Sequence, residues 1–300
     1  MKHILITDSG VGGLSVCAYA EAFLRTNGVA EPTRLTYVNA SAENDFGYNA
    51  LGSRRKKLEH FDRFLHIVAN KYSPDLIYVA CNTLSVLLPE TGFFAERKIP
   101  VSGIVETGVN RLTRDLGTSP GRNVVIFGTD TTIEAQTYPT MLIKRGIQEN
   151  HIISQACPGL CDTISEDRSG EQAGMEIERY VRTALEKSQV KLDTCLVYLA
   201  CTHYGYRKEL FTAAFKKAGV QADVLNPNEF AINDLLANSG GDLPESTIEV
   251  EFVTRYRIPE TALETISFFL GNVSPKTIRA FQNYTYAPDL FPGFRPPSQI

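Results

Sequence analysis

Short apolar runs alternate with longer segments of helical periodicity along most of the chain. Each run is almost continuously apolar and ends at glycine or polar residues, which is typical of strands buried on both faces of a parallel sheet. Residues 53–72 carry apolar side chains at the spacing of an amphipathic helix, and another helix is predicted from Leu14. This alternation predicts an α/β protein with mostly parallel sheets. The predicted strands are residues 3–9, 33–40, 75–81, 101–105, 123–129, 151–157, 195–201, 222–227 and 248–254.

The pattern occurs twice, which predicts two similar Rossmann-like lobes facing each other across a cleft. The strand–turn–helix unit at 3–25 has a counterpart at 123–145, and the strand–cysteine–helix unit at 75–88 has one at 195–215. In such sheets, active sites lie beyond the carboxyl ends of the strands. From residue 274 onwards the chain is rich in proline and aromatic residues without a clear period, and we expect an irregular segment there.

Two near-identical segments place a cysteine at such a strand end. They are YVACNT at 78–83, with Cys81, and YLACTH at 198–203, with Cys201. Each cysteine precedes a predicted helix, whose N-terminus favours a thiolate. Two thiols facing one ligand from opposite sides suit the inversion of a carbon centre, since one removes a proton and the other delivers one. We expect Cys17 and Cys195, by contrast, to be buried structural residues.

The segment DSGVGGLSV at 8–16 is a glycine-rich turn between a strand and a helix. It is neither a dinucleotide motif nor a P-loop, because the lysine of a P-loop is missing. It places Asp8 and Ser9 at a strand end, and Asp8 and His203 are candidates for tuning the two cysteines. The alternatives are a turn capped by Asp8 and a histidine that is simply part of the core.

Composition and charge narrow the classes of function. The chain has 300 residues and a net charge of −4, which argues against broad binding to nucleic acid or to an anionic membrane. The short basic run at 54–57 is expected to be a solvated helix start. No apolar run is long enough to span a bilayer, and the first residues do not resemble a signal peptide, so a cytoplasmic protein is expected.

The six cysteines are expected to be thiols in that compartment, and their spacing does not make a zinc site. A redox pair between Cys157 and Cys161 is an open alternative, although the two lack the usual CxxC spacing.

The segments at 8–16, 80–83 (ACNT) and 201–204 (CTHY) resemble the three main signatures of the glutamate racemases, in the aspartate/glutamate racemase superfamily. Weaker similarities follow in the same order, so that the resemblance extends to about residue 272; these are GIVETG at 103–108, VVIFGTDTTIEAQTY at 124–138, ACP at 156–158 and EFVT at 251–254.

The resemblance implies conversion of L-glutamate to D-glutamate, a precursor of peptidoglycan, without a cofactor or a metal. It implies that Cys81 and Cys201 are the acid/base pair and that Asp8 and His203 assist them. The residues implied to hold or line the substrate are Ser9, Asn82, Thr83, Thr129, Thr132 and Thr202. It also implies a homodimer, and lobes formed by residues 1–98 plus 210–300 and by residues 99–209.

The sequence departs from the family pattern where a PYG segment helps to bind the substrate's side-chain carboxylate. Asp45, Phe46 and Gly47 stand there instead, and an anion at Asp45 would repel a carboxylate. Gly205 replaces a family proline, and an acidic assisting residue of the family falls on Ser165, next to Glu166.

Three functions therefore stay open. The first is a glutamate racemase, and the second is a racemase of the same superfamily acting on aspartate or another amino acid, with Asp45 facing its side chain. The third is a two-lobed amino-acid-binding protein without turnover, of which a phosphate- or nucleotide-binding protein is a weaker variant. A binding protein, however, has no need for two thiols.

Overall fold

A computed structural model of the chain describes residues 1–42, 47–118, 121–188, 192–236 and 241–291. The strands in these ranges are β1 (Lys2–Asp8), β2 (Thr33–Asn39), β3 (Leu76–Val79), β4 (Val101–Gly103), β5 (Asn123–Gly128), β6 (Ile152–Ala156), β7 (Thr194–Ala200), β8 (Gln221–Leu225), β9 (Ile248–Thr254) and β10 (Thr285–Tyr286). The helices are α1 (Leu14–Asn27), α2 (Arg54–Tyr72), α3 (Asn82–Ser85), α4 (Gly92–Glu96), α5 (Ile104–Gly117), α6 (Asp130–Glu134), α7 (Thr137–Lys144), α8 (Leu160–Glu166), α9 (Glu171–Glu186), α10 (Lys208–Lys217), α11 (Pro227–Phe230), α12 (Ile232–Leu236), α13 (Glu260–Leu270) and α14 (Pro275–Gln282). No helix in the described ranges has the length and apolar character needed to cross a membrane.

The strands form two parallel sheets. One has six strands in the order β10-β9-β2-β1-β3-β4, and the other has four in the order β6-β5-β7-β8. The strands of every pair within these sheets run parallel. The predicted α/β class with mostly parallel sheets is therefore confirmed, and the nine predicted strands lie within one or two residues of β1–β9.

The chain passes from one sheet to the other later than the predicted lobe boundaries. Residues 101–103 were assigned to the second lobe, but β4 pairs with β3 in the first sheet. Residues 221–225 were assigned to the first lobe, but β8 pairs with β7 in the second sheet. The crossings thus lie between β4 and β5 and between β8 and β9. The division into two lobes as such stays a prediction.

Two hydrophobic clusters cover opposite faces of the sheets. Ile4 and Ile6 of β1 belong to one cluster together with Val125 and Phe127 of β5, whereas Leu5 belongs to the other. Alternate residues of a strand point to opposite faces, so this assignment follows directly from the strand geometry. Each cluster takes side chains from both sheets, and the two halves of the molecule therefore share their cores.

The basic run at the start of α2 is only partly solvated. Lys57 is buried, and its Nζ donates a hydrogen bond of 2.6 Å to Thr131 Oγ1 on α6. Burial lowers the pKa of Lys57. The expectation of a solvated helix start is wrong for this residue, because the helical turn directs Lys57 towards the other half of the chain. Arg55, on the exposed face, pairs with Glu59 instead.

The expectation of an irregular segment from residue 274 is wrong for its described part, which forms α14 and β10. Ser274 is the N-cap of α14, its Oγ accepting a hydrogen bond of 3.1 Å from the Thr277 N–H, and Pro275 follows at the first helical position. Ile278 and Phe281 then face the core at helical spacing. A serine followed by proline was the overlooked signal. Residues 292–300 lie outside the described ranges.

Replacing Ser274 by alanine should lower the free energy of unfolding by about 2–3 kcal/mol. The variant loses the cap of α14, and it also loses the hydroxyl that lies 2.7 Å from the fully buried Glu21 carboxylate. Denaturant unfolding at neutral pH measures this effect.

Ser53→Ala is the matched control, because Ser53 caps α2 at the surface and its contact with the Lys56 N–H is exposed. Its cost should be about 1 kcal/mol or less. Equal losses in the two variants would contradict a structural role for the Ser274–Glu21 contact.

Candidate active site

A cavity of about 580 Å³ opens where the carboxyl ends of strands from the two sheets meet. Its position is the one expected for a binding site in open parallel sheets. The cavity contains ten of the predicted site residues, namely Asp8, Ser9, Gly47, Cys81, Asn82, Thr83, Thr129, Cys201, Thr202 and His203. Thr132 does not line it, and Asp45 and Phe46 lie outside the described residues.

The glycine-rich turn after β1 brings two distant segments into contact. A Cβ on Gly12 would lie 2.5 Å from Thr202 Oγ1, and a Cβ on Gly13 would lie 2.7 Å from Asp8 Oδ2. A side chain at Gly12 would therefore collide with the segment that carries the second cysteine, and one at Gly13 would collide with Asp8 and with Ala80, next to the first cysteine. The absence of side chains at these glycines lets distant segments of the chain pack closely, in addition to leaving room for a ligand.

Asp8 joins the glycine-rich turn to the segment that carries the second cysteine. Its Oδ2 accepts a hydrogen bond of 2.9 Å from Thr202 Oγ1, and its Oδ1 accepts one of 3.0 Å from the Gly10 N–H. Burial raises the pKa of the Asp8 carboxyl to about 6, while these hydrogen bonds oppose the increase. The carboxyl is thus ionised at neutral pH and titrates close to it. If Asp8 were only a turn cap, this would explain its contact with Gly10 but not its contact with Thr202.

Cys81 lies at the entrance to α3, directly after the end of β3. Its Sγ is 3.1 Å from Ser9 Oγ. Burial raises the pKa of the Cys81 thiol to about 12, and the charge of Asp8 adds to the increase. The prediction that the helix N-terminus favours a thiolate is wrong for the unliganded site, because α3 has only four residues and the cost of burying a charge is larger.

Cys201 follows the end of β7, and its Sγ lies 4.0 Å from His203 Nδ1. Burial raises the pKa of the Cys201 thiol well above its ordinary value, so this cysteine is also a thiol. Burial lowers the pKa of His203 to about 4, which keeps the imidazole neutral at physiological pH. A neutral imidazole beside a thiol is able to accept its proton.

Threonines connect the first cysteine segment to the second sheet. Thr83 Oγ1 lies 2.9 Å from Thr129 Oγ1, which lies 3.0 Å from Thr132 Oγ1. Thr132 therefore contacts Thr129 without lining the cavity, and its role in substrate binding stays a prediction. Thr83 and Thr129 both line the cavity.

The side-chain amide of Asn82 uses its oxygen for hydrogen bonding within the described part of the chain and leaves its nitrogen available. Its Oδ1 accepts a hydrogen bond of 2.5 Å from the Tyr138 hydroxyl, which also lies 3.2 Å from the Tyr198 hydroxyl. Asn82 Nδ2 is buried and has no hydrogen-bond partner within the described part of the chain. Since a buried donor without a partner is costly, this amide is suited to bind an acceptor group of a ligand.

Helix α8 contributes residues that the motifs alone did not assign. Cys161, Asp162, Ser165 and Glu166 line the cavity, so both candidates for the family's acidic position are present. Cys157 is buried and approaches the Gln155 carbonyl, and both it and Cys161 are free thiols. The resemblance named Ser165 and Glu166, whereas no sequence pattern predicted that Cys161 and Asp162 line the cavity.

Arg257 and its neighbours form another part of the wall that sequence reasoning missed. They follow the end of β9, and the only signal was their position after a predicted strand. Gly205, where the family has proline, has a local explanation, because a Cβ there would lie 2.4 Å from Asn226 Oδ1. Across the described ranges, no group of three or more His, Cys, Asp or Glu side chains is arranged to hold a metal ion.

Comparisons with known proteins agree with this arrangement. No protein-family model matches the chain. The glutamate racemase of Aquifex aeolicus is 27% identical over 274 residues, covering 90% of this chain and 95% of that protein. The solved structure of the glutamate racemase from Aquifex pyrophilus superimposes with a TM-score of 0.63 at 26% identity, covering 90% of this chain and 95% of that one. The glutamate racemase of Methylococcus capsulatus is 30% identical over 224 residues, which cover 74% of this chain and 71% of that protein. On this similarity, spread over both sheets and the cavity between them, the chain belongs to the glutamate racemase family.

Proposed function

We propose that the protein is a cofactor-independent racemase that interconverts L- and D-glutamate with Cys81 and Cys201 as its acid/base pair. The observation that carries this proposal is the presence of both thiols in one cavity, at the ends of strands from different sheets. Its substrate is taken from the relatives, which are named glutamate racemases.

The reaction needs one group on each face of the α-carbon. One cysteine, as thiolate, takes the α-proton, and the other, as thiol, delivers a proton to the opposite face, so that the number of bound protons is unchanged. Because burial holds both cysteines as thiols at rest, one must first lose its proton. Asp8, whose charge acts on Cys81, and His203, 4.0 Å from Cys201, are the acceptors at hand.

The substrate's charged groups have partners in the same place. The hydroxyl of Thr83 and the free amide end of Asn82 offer hydrogen bonds to a carboxylate, whereas the Thr202 hydroxyl donates to Asp8 and positions it. Such bonds stabilise the negative charge that develops when the α-proton leaves. The carboxylate of Asp8 offers a charge to the ammonium group.

The other functions considered are less favoured. Aspartate or another amino acid as substrate rests on Asp45, whereas the relatives compared above are glutamate racemases. A binding protein without turnover leaves the paired cysteines unexplained. The supply of D-glutamate for peptidoglycan, the cytoplasmic location and the homodimer stay predictions from the resemblance.

Incubation of the purified protein with L-glutamate in deuterated water should give D-glutamate that carries deuterium at the α-carbon. The solvent exchanges with the thiol that delivers the proton, so the label appears in the inverted product. Chiral chromatography with mass spectrometry measures both quantities. Binding of glutamate with neither inversion nor exchange would instead support the binding protein.

Cys81→Ser and Cys201→Ser should each lower kcat for inversion by at least about 10³-fold, because an alcohol is a far weaker acid than a thiol. Cys161→Ser is the matched control, since Cys161 lines the same cavity and has no part in the proton transfer. It should keep activity within about tenfold of the unmodified protein. Unchanged turnover in either of the first two variants would contradict the two-cysteine mechanism.

The pH profile of kcat/KM should fall on the acidic side with an apparent pKa near 6. Asp8 must be ionised to accept a proton, and its pKa is raised to about 6. Asp8→Asn should remove this limb and lower kcat/KM by about 10²–10⁴-fold. Asp162→Asn, a second carboxyl in the cavity, should keep the limb. An unshifted acidic limb in Asp8→Asn would assign that titration to another group.

A further inference from the structure

The charges around the cavity are unequal. Three carboxyl side chains line it, those of Asp8, Asp162 and Glu166. Among the described lining residues, Arg257 is the single cation, because burial keeps His203 neutral. A substrate with two carboxylates therefore meets an acidic wall with one positive group in it.

Arg257 stands at the far end of the cavity from Cys81. It follows the end of β9, and the sheet order places β9 three strands away from β3, with β2 and β1 between them. Neighbouring strands are about 4.8 Å apart, so the strand ends that carry Cys81 and Arg257 are separated by roughly 14 Å. An amino acid whose α-carbon lies at the cysteines, together with an arginine side chain extended towards it, spans such a distance.

Hydrogen bonds hold the residues on both sides of Arg257 in place and do not neutralise its positive charge. Tyr256 is buried, and its hydroxyl donates a hydrogen bond of 2.5 Å to the Ala42 carbonyl, while the Ile258 N–H donates to the Tyr284 hydroxyl at 3.3 Å. Arg257 is exposed, and its guanidinium lies 5.0 Å from the ring centroid of Tyr286 on β10, on the far side of β9 from β2, so the side chain must turn from that ring towards the cavity to reach a ligand there. No carboxylate of the described residues pairs with it. Contact with an aromatic face orients a cation and leaves its hydrogen-bond donors free.

We propose that Arg257 binds the side-chain carboxylate of the substrate and makes the site selective for an acidic amino acid. This inference rests on the proposed racemase function. The α-carboxylate and the ammonium already have partners near the cysteines, so the side-chain carboxylate is the group left without one. Near Asp162 and Glu166 it would be repelled, and a guanidinium offers the charge and the paired donors that a carboxylate requires.

Binding of the side-chain carboxylate is also a role that the loop at residues 45–47 no longer provides; this is the altered loop, where the sequence departs from the family's PYG segment. Asp45 and Phe46 replace the residues with which the family helps to bind this carboxylate, and Gly47 has no side chain to offer. Arg257 approaches the cavity from β9, on the edge side of β2, after which the altered loop begins. A cation from the neighbouring strand thus replaces a function lost from the loop.

Arg257→Gln should raise KM for L-glutamate by about tenfold or more, the effect of losing a partly solvated, charge-assisted contact, and should leave kcat within about twofold. Arg257→Lys should restore part of the affinity. Tyr286→Leu, which removes the aromatic support and keeps the charge, should raise KM less than Arg257→Gln. The inhibition constant of L-glutamine, whose side chain is neutral, should not change in Arg257→Gln.

Arg55→Gln is the matched control, because it removes one positive charge from the surface of α2, away from the cavity. The inference is overturned if Arg257→Gln leaves KM unchanged, if Arg55→Gln raises it equally, or if binding of glutamine weakens as much as binding of glutamate.

Failure of the racemase function is distinguishable from failure of this inference. If the unmodified protein does not turn glutamate over, calorimetric titration with glutamate decides the role of Arg257 by itself. Weaker binding to Arg257→Gln than to the unmodified protein supports it, whereas equal binding, or no binding to either, overturns it.

Discussion

The hydrogen bond from Thr202 to Asp8 is the contact on which the geometry of the site depends. It joins the end of β7 in one sheet to the end of β1 in the other, between residues 194 positions apart in the chain. Gly12 lets the two segments come that close, because a Cβ there would lie 2.5 Å from Thr202 Oγ1. Together with the Thr83–Thr129 contact, it holds the two cysteine segments of the separate sheets at one cavity. The buried Asp8 carboxyl acts on the pKa of each thiol.

Burial decides the protonation of the site more strongly than helix termini do. Both thiols and the Asp8 carboxyl have pKa values above their ordinary range, and His203 has one below it. All four shifts favour the uncharged form, as desolvation requires. Only Asp8, at about 6, remains charged at neutral pH. These four groups therefore carry a single charge at rest, that of Asp8, and a charged ligand that reaches the two thiols changes this balance.

The sequence predicted the strands and most of the site because both follow from local pattern. Continuous apolar runs ending in polar residues gave β1–β9, and the repeated ACNT and ACTH segments marked Cys81 and Cys201. Features set by contacts between distant segments were not predictable in this way. The burial of Lys57 depends on Thr131 in the other half of the chain, and the place of Arg257 depends on β9 pairing with β2. The protonation of Cys81 was mispredicted because the effect of the helix N-terminus was considered without the burial of the thiol. Helix α14 was missed because proline was taken as a sign of irregular chain.

The order of strands in the larger sheet has a consequence for synthesis on the ribosome. Strand β9 pairs with β2 along its whole length, yet it comes from residues 248–254, after every strand of the smaller sheet. The smaller sheet is complete once residue 225 has emerged, whereas the larger one still has β2 as an unprotected edge. Unpaired strand edges promote association with other chains. The nascent protein thus passes through a stage in which the smaller sheet is complete and the larger sheet has an unpaired edge that promotes aggregation. This stage ends when β9 has been synthesised and pairs with β2. Truncation before residue 248, which removes β9, would leave the molecule permanently in it.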